Sequence, residues 1–151
     1  MSQFMGTHQN QLDGKGRVSI PAPFRALLKA ADGSVRLVLR PSHKRPCIEA
    51  WPLPAFEALS APLQRLDLFS EEQDDLAVAL FADAFPAEAD KEGRVVLPER
   101  LKLHAGLGSL VTFLGLGRTF EIWEPGAAER HVASVRARIA ERRPTLPGGG
   151  A

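Results

Sequence analysis

Two arginines, Arg17 and Arg94, have the residue type and spacing expected of side chains that recognise another molecule. Each follows a glycine directly and lies four residues after an aspartate, Asp13 or Asp90. A planar guanidinium donates to two acceptors at once, and its pairing with O6 and N7 of guanine discriminates between bases by roughly 1–3 kcal/mol. The spacing fits two interpretations: an arginine restrained by its aspartate for contact with DNA, or an ion pair that only closes its own turn.

The sequence contains none of the common patterns for catalysis or cofactor binding. Residues 115–117 begin like a dinucleotide-binding glycine motif, but Phe120 stands where the third glycine is needed, and Gly14-Lys15 lacks the spacing of a phosphate-binding loop. The four histidines lie in separate segments, and the single cysteine, Cys47, has no partner for a zinc site or a disulfide. We therefore expect no enzyme, metal ion, cofactor or small-molecule substrate.

The two arginine motifs belong to an internal repeat. Residues 12–21 align with residues 89–98 at a constant offset of 77, as from Asp13 to Asp90. Residues 48–51 match residues 120–123 at an offset of 72, so the second copy is shorter by five residues. In each copy the Asp-x-x-Gly segment predicts a turn, because aspartate caps turns and glycine tolerates positive φ. Together with a strand on either side, each turn predicts a β-hairpin.

The remaining pattern predicts short strands and helices in each copy. The predicted elements are strand 17–20, helix 23–31 and strands 35–39 and 47–51 in the first copy, then strand 94–97, helix 99–105 and strands 110–114 and 119–123 in the second. Segments 54–66 and 70–85 between the copies and 127–143 after them predict helices. Neither copy has enough apolar surface for its own core, so the two are expected to interlock in one β-rich α+β body.

Composition and charge limit the class of protein. A length of 151 residues, with 44% hydrophobic and 25% charged residues, is typical of a folded, water-soluble chain. No leader and no membrane-spanning stretch is recognisable, which favours the cytoplasm. Lysines and arginines outnumber acids eight to two in residues 13–45 and nine to five in 94–151, whereas acids prevail eleven to two in 46–93. Such blocks fit an anionic partner, although ordinary solvated surface gives the same pattern.

Several segments resemble the MraZ family of bacterial transcriptional regulators. The matching segments are Phe4, Gly6, 12–21, Arg25, 51–54, 90–98, 104–107 and 120–123, within a resemblance that covers about residues 4–143. The resemblance implies two tandem SpoVT-AbrB-type swapped-hairpin units in one pseudo-twofold β-barrel body. The implied organisation is a first unit at 1–53, a helical connector at 54–80, a second unit at 81–125, a C-terminal helix at 126–143 and a flexible tail at 144–151.

The resemblance also implies a function. Proteins of this family form ring-shaped homo-oligomers that bind guanine-rich direct repeats of double-stranded DNA in the promoter of the division and cell-wall gene cluster. We therefore expect a nucleoid-associated transcriptional regulator, acting as a repressor. The alternative that the sequence leaves open is a ring-forming assembly module that binds a protein or RNA partner.

The DNA-binding residues expected from the motifs differ between the two copies. The candidates are Asp13, Lys15, Arg17 and Arg25 in the first copy, and Asp90, Lys91 and Arg94 in the second. Arg25 is expected near the first turn, in the helix that follows it. Glu92 replaces Lys15 in the second copy, and its negative charge beside Arg94 should oppose the approach of a phosphate. The first turn is therefore expected to be the stronger reader.

Overall fold

The computed structural model of the chain describes residues 2–148. The first copy contains β1 (Thr7–Gln11), β2 (Arg17–Ser19), α1 (Ala22–Leu28), β3 (Arg36–Pro41) and β4 (Ile48–Pro52). The connector contains α2 (Leu53–Glu57), α3 (Ser60–Leu63), α4 (Glu71–Ala77) and a π-helical segment (Val78–Ala82). The second copy contains β5 (Phe85–Glu88), β6 (Arg94–Val96), α5 (Glu99–Ala105), β7 (Leu110–Gly115) and β8 (Phe120–Trp123), followed by α6 (Pro125–Arg142). The predicted α+β class is confirmed.

The strands of the two copies pair with each other. An antiparallel six-stranded sheet has the order β1-β7-β8-β4-β3-β5, and β2 and β6 form a separate two-stranded ribbon. Thus β1 of the first copy pairs with β7 of the second, β5 of the second pairs with β3 of the first, and the ribbon takes one strand from each. Most of the sheet therefore forms only when both copies are present.

The predicted hairpins are formed only at their turns. In the first copy the backbone N–H of Asp13 donates to the carbonyl of Arg17 at 2.9 Å, and Leu12 forms a bridge with Val18. Beyond these residues β1 leaves to join the large sheet, while β2 joins the ribbon. The prediction of a continuous two-stranded hairpin in each copy is therefore wrong, because each strand of the expected hairpin pairs with a strand from the other copy.

One hydrophobic core serves both copies. Phe4, Phe24 and Phe120, from the N-terminal segment, α1 and β8, lie with ring centroids 4.9–5.2 Å apart and are at most 3% exposed. Their edge-on and tilted contacts are the geometry that aromatic rings prefer. The core includes side chains from both copies in one cluster, which confirms that the two copies share a core.

Three predicted helices end in different places from those expected. The helix predicted over 54–66 is divided into α2 and α3, because Pro62 lacks the N–H that would bond to the carbonyl of Ala58. The helix predicted over 70–85 begins after Ser70, whose Oγ accepts from the N–H of Gln73 at 3.1 Å, but it ends at Ala82 and strand β5 follows. Helix α1 ends at Leu28 rather than at residue 31. Residues 149–151 of the predicted flexible tail lie outside the described residues.

A close backbone approach makes Gly115 a test of this packing. A β-carbon on Gly115 would lie 2.6 Å from the carbonyl group of Phe4, whose segment is held by hydrogen bonds to Gly117. Gly115→Ala should lower the free energy of unfolding by about 1–3 kcal/mol, as overpacking does, in urea denaturation followed by circular dichroism. Gly108→Ala is the control, since nothing lies within 4 Å of its β-carbon position. Equal stability of the two variants would contradict the packing described.

Candidate nucleic-acid interface

The ribbon of β2 and β6 has one buried and one outward face. Val18 pairs with Val95 at its centre, and both are 1% exposed, so this pair points into the core. Because side chains alternate along a strand, the residues on either side of the valines must point outward. The hydrophobic core therefore determines which side chains the ribbon presents to its surroundings.

The outward face carries both candidate arginines. Arg17 lies opposite Val96, and Ser19 lies opposite Arg94, so the two arginines are diagonal neighbours on one face. Diagonal neighbours in antiparallel strands are about 7–8 Å apart. The name "ribbon face" is used below for Arg17, Ser19, Arg94 and Val96.

The aspartates hold the turns and the arginines in the same way in both copies. Oδ1 of Asp13 accepts hydrogen bonds from the backbone N–H groups of Lys15 and Arg17 at 2.9 Å, and its Oδ2 accepts from Nε of Arg17 at 2.8 Å. Asp90 repeats these contacts with Glu92 and Arg94 at 2.9–3.0 Å. The hydrogen bond from the backbone N–H of Arg17 contributes most to lowering the pKa of Asp13, and the hydrogen bond from the Arg17 side chain contributes less. The backbone N–H of Arg94 likewise contributes most to lowering the pKa of Asp90. Each arginine is therefore oriented by a charged acceptor.

The guanidinium groups of Arg17 and Arg94 differ in how many of their N–H donors remain free. Arg17 uses only Nε in its contact with Asp13, and its two Nη atoms have no hydrogen-bond or ion-pair partner within residues 2–148. In the second copy, Nη2 of Arg94 lies 3.5 Å from Oε2 of Glu92. Arg17 can therefore donate two hydrogen bonds outward, whereas Arg94 shares one of its groups with a carboxylate.

Arg25 contacts the second turn, not the first as expected. A β-carbon at Gly93, which has a φ of +80°, would lie 2.6 Å from Cδ of Arg25. The guanidinium of Arg25 also donates to the carbonyl of Ile20. Arg25 lies beside the second turn because β2 and β6 pair antiparallel, and the backbone N–H of Ile20 donates to the carbonyl of Gly93 at 3.0 Å.

The structure adds one cation that the sequence reasoning missed. Lys102 lies 77 residues after Arg25, the same offset that relates Asp13 to Asp90. Its Nζ lies 3.3 Å from the β-carbon position of Gly16, in the first turn. Comparing the helices of the two copies at this offset would have found it. Each turn is thus flanked by a cation from the other copy.

The two lysines in the turns remain exposed. Lys15 and Lys91 contribute a cation to each turn. The first turn therefore combines Lys15, Arg17 and Lys102 and has no acid in the position of Glu92, while Nζ of Lys102 is paired with Oε2 of Glu99 at 2.9 Å. This arrangement can place several positive charges against an anionic backbone around one oriented guanidinium.

Two further observations concern other kinds of site. Within residues 2–148, no group of three or more His, Cys, Asp or Glu side chains is arranged to hold a metal ion. In the same part of the chain, no helix has the length and apolar character needed to cross a bilayer.

The fold and the ribbon face define the class as a small duplicated α+β protein that presents paired arginines on a two-stranded ribbon. A family model described as "MraZ protein, putative antitoxin-like" matches residues 3–78 and 80–140. The chain therefore belongs to the MraZ family.

Named relatives match over nearly the full length of the chain. A protein of Gluconacetobacter diazotrophicus is 61% identical over 152 residues, covering 99% of this chain and 95% of the relative. A protein of Gluconobacter oxydans is 55% identical, covering 99% and 96%, and one of Rickettsia bellii is 40% identical, covering 91% of each. All three are named "Transcriptional regulator MraZ", and this name indicates no catalytic activity for them.

The turn geometry predicts how Asp13 titrates. Its carboxyl pKa should lie below the ordinary 3.8, and Arg17→Gln should raise it only part of the way back, because the leading cause is the backbone N–H of residue 17. Carbon-13 NMR of the carboxyl group measures both values. Since the folded pKa is the lower one, the stabilisation is present above the unfolded pKa and is lost as pH falls through the folded pKa. Asp13→Asn should therefore weaken the dependence of stability on pH in this acidic range. A complete return to 3.8 in Arg17→Gln would mean that the side chain alone lowers the pKa.

Proposed function

We propose that this protein is a sequence-specific DNA-binding transcriptional regulator, a repressor of the division and cell-wall gene cluster. The observation that carries this proposal is the ribbon face, where Asp13 holds Nε of Arg17 and leaves both Nη atoms free to donate outward. The relatives are named as transcriptional regulators, which agrees with this proposal. Its place of action would be the nucleoid, in the cytoplasm.

The proposed DNA-reading element is the two-stranded ribbon that carries the ribbon face. A two-stranded ribbon fits the major groove of B-DNA, and a guanidinium can donate to both O6 and N7 of guanine. In this proposal Arg17 reads guanine and Arg94 contributes more weakly because Glu92 competes for it. The flanking cations contact phosphates and set the position of the ribbon on the duplex. These cations are Lys15, Lys91, Lys102 and Arg25.

The proposed functional particle is a ring of identical copies. Each copy would contain two SpoVT-AbrB-type swapped-hairpin units closed into a pseudo-twofold barrel, and the pairing of β1 with β7 and of β5 with β3 supports such an exchange. Several weak ribbon faces around a ring would bind tandem guanine-rich repeats together, so effective concentration replaces a high affinity for one site. The DNA must bend to follow the ring, which makes repeat spacing part of the specificity.

Substitutions of Arg17 test whether this residue reads guanine. Fluorescence anisotropy should show that wild type prefers a duplex with guanine-rich direct repeats over a scrambled duplex and that binding weakens with salt. Arg17→Ala should lose the preference. Arg17→Lys should keep most of the salt dependence but lose roughly 1–3 kcal/mol of discrimination per site, since an ammonium lacks the planar pair of donors.

Arg118→Ala is the control for lost charge. Arg118 lies beyond β7 at the end where Thr7 pairs with Leu114, whereas the first turn follows Gln11, which pairs with Leu110. The length of the strand separates the two by about 15 Å, so this variant should bind like wild type. If Arg17→Ala keeps the preference, Arg17 only closes its turn. If wild type binds both duplexes equally, or prefers RNA, the assembly-module alternative is favoured.

Glu92 provides a test of the second copy. Glu92→Gln removes the carboxylate 3.5 Å from Nη2 of Arg94 while keeping a similar shape. Affinity for the repeat duplex should rise several-fold, and the effect should disappear in an Arg94→Ala background, because the freed group belongs to Arg94. A gain that persists without Arg94 would show that Glu92 acts only through the general field of the protein.

A further inference from the structure

The C-terminal helix α6 carries an apolar stripe that continues past the part of the protein it covers. Ala128 is 3% exposed and packs with Leu114 and Trp123, and Val132 packs against the same cluster. The stripe continues at helical spacing through Val135 to Ile139, which is 52% exposed. In the second half of the stripe Val135 is half-buried at the edge of the β1–β7 pair, and Ile139 beyond it is exposed.

Exposed arginines flank the end of this stripe. Those on or just after the last turns of α6 are Arg136, Arg138, Arg142 and Arg143. None of them forms an ion pair with a carboxylate in the described part of the chain. The name "helix face" is used below for Val135, Ile139 and these arginines. It combines an apolar stripe with positive charge.

The connector has the opposite combination. Leu68 and Phe69 are 73% and 85% exposed, and Phe69 has a φ of +67°, a left-handed conformation that is unfavourable for a bulky residue. The carboxylates close to them in the chain are Asp67, Glu71, Glu72, Asp74 and Asp75, all exposed and without an ion-pair partner in residues 2–148. The name "connector face" is used below for Leu68, Phe69 and these acids.

We propose that the connector face of one copy binds the helix face of the next copy. This inference rests on the ring of the proposed function and names the surfaces that would build it. Apolar side chains would be buried at the centre, with carboxylates opposite guanidinium groups around them. Next to the helix face, a groove of about 340 Å³ between α6 and the ends of β1 and β7, lined by Gly6, Leu114, Val132 and Val135, offers a place for an aromatic side chain.

Charge and topology favour contact between unlike faces. Connector against connector would oppose two sets of carboxylates, and helix against helix would oppose two sets of arginines, so each twofold contact is repulsive. The connector packs on β3 and β4, whereas α6 packs on β7, in the other half of the sheet. Unlike faces on separate parts of a subunit give a head-to-tail contact, which closes into a ring when its rotation permits.

The helix face is also unsuited to share the DNA with the ribbon face. Its groove lies at Gly6, Thr7, Leu114 and Gly115. The first turn follows Gln11, at the opposite end of the β1–β7 pair. A second copy of this chain is therefore the occupant that the charge and placement fit.

Complementation between two variants tests the proposal without DNA. The connector variant is Phe69→Gly with Glu72→Lys, where glycine also relieves the left-handed backbone, and the helix variant is Ile139→Glu, at an exposed position. In sedimentation velocity, wild type should form one large species that weakens with salt, and each variant alone should fall to the 16.4 kDa monomer. An equimolar mixture should give a two-copy complex and nothing larger, since it holds one intact pair of faces.

The control is Leu103→Ser, which changes another exposed apolar residue, 72% exposed on α5, and should leave the assembly unchanged. A variant that stays fully assembled, or a mixture that stays monomeric, overturns the proposed contact. A monomeric wild type that still prefers the repeat duplex overturns the ring and this contact but leaves DNA reading intact. Assembly as expected without any DNA preference overturns the proposed function alone.

Discussion

The antiparallel pairing of β2 with β6 is the contact on which the rest of the structure depends. It joins one strand from each copy, and burial of Val18 and Val95 leaves only one choice for the outward face. The same pairing places Arg25 beside the second turn and Lys102 beside the first. The surface therefore carries two oriented arginines and two further cations, each of which the other copy contributes to a turn. This arrangement is a consequence of core burial and strand register, and neither copy alone can provide it.

A second constraint explains why the copies are not identical. Glu49 and Glu121 lie directly opposite each other in β4 and β8, an unfavourable arrangement for like charges. Arg40, 1% exposed, pairs with Glu49 at 2.6 Å, and Arg45 pairs with Glu121 at 3.2 Å. Arg45 belongs to the loop between β3 and β4, which is two residues longer than the corresponding loop between β7 and β8, and it supplies the cation that the second copy's glutamate needs. Loss of either arginine would leave a largely buried carboxylate without its partner, which is costly.

The structural features that could be predicted from the sequence are those that neighbouring residues in the chain determine. Both turns, helix α5 and its end at Gly106, whose φ is +62°, follow from aspartate, proline and glycine at fixed positions. Strand exchange between the copies, the position of Arg25 and the role of Lys102 depend on pairing between residues about 77 apart in the chain, and no local pattern encodes that choice. The sequence pattern predicts one helix across the π-helical segment and β5, because Phe85 continues the apolar pattern of the helix, although in the structure it pairs with Leu39 of β3.

The difference between the two turns bears on the kind of DNA site that suits this protein. A ribbon with two equal arginines would have twofold symmetry and would suit an inverted repeat, as symmetric dimers do. Here Lys15 adds a positive charge at one end and Glu92 a negative charge at the other, so in the proposed function each copy would have a direction on the DNA. Copies related by rotation around a head-to-tail ring would all present that direction in the same sense. Directional readers in cyclic order match direct repeats, so the asymmetry within the chain and the polarity of the proposed ring require the same operator geometry.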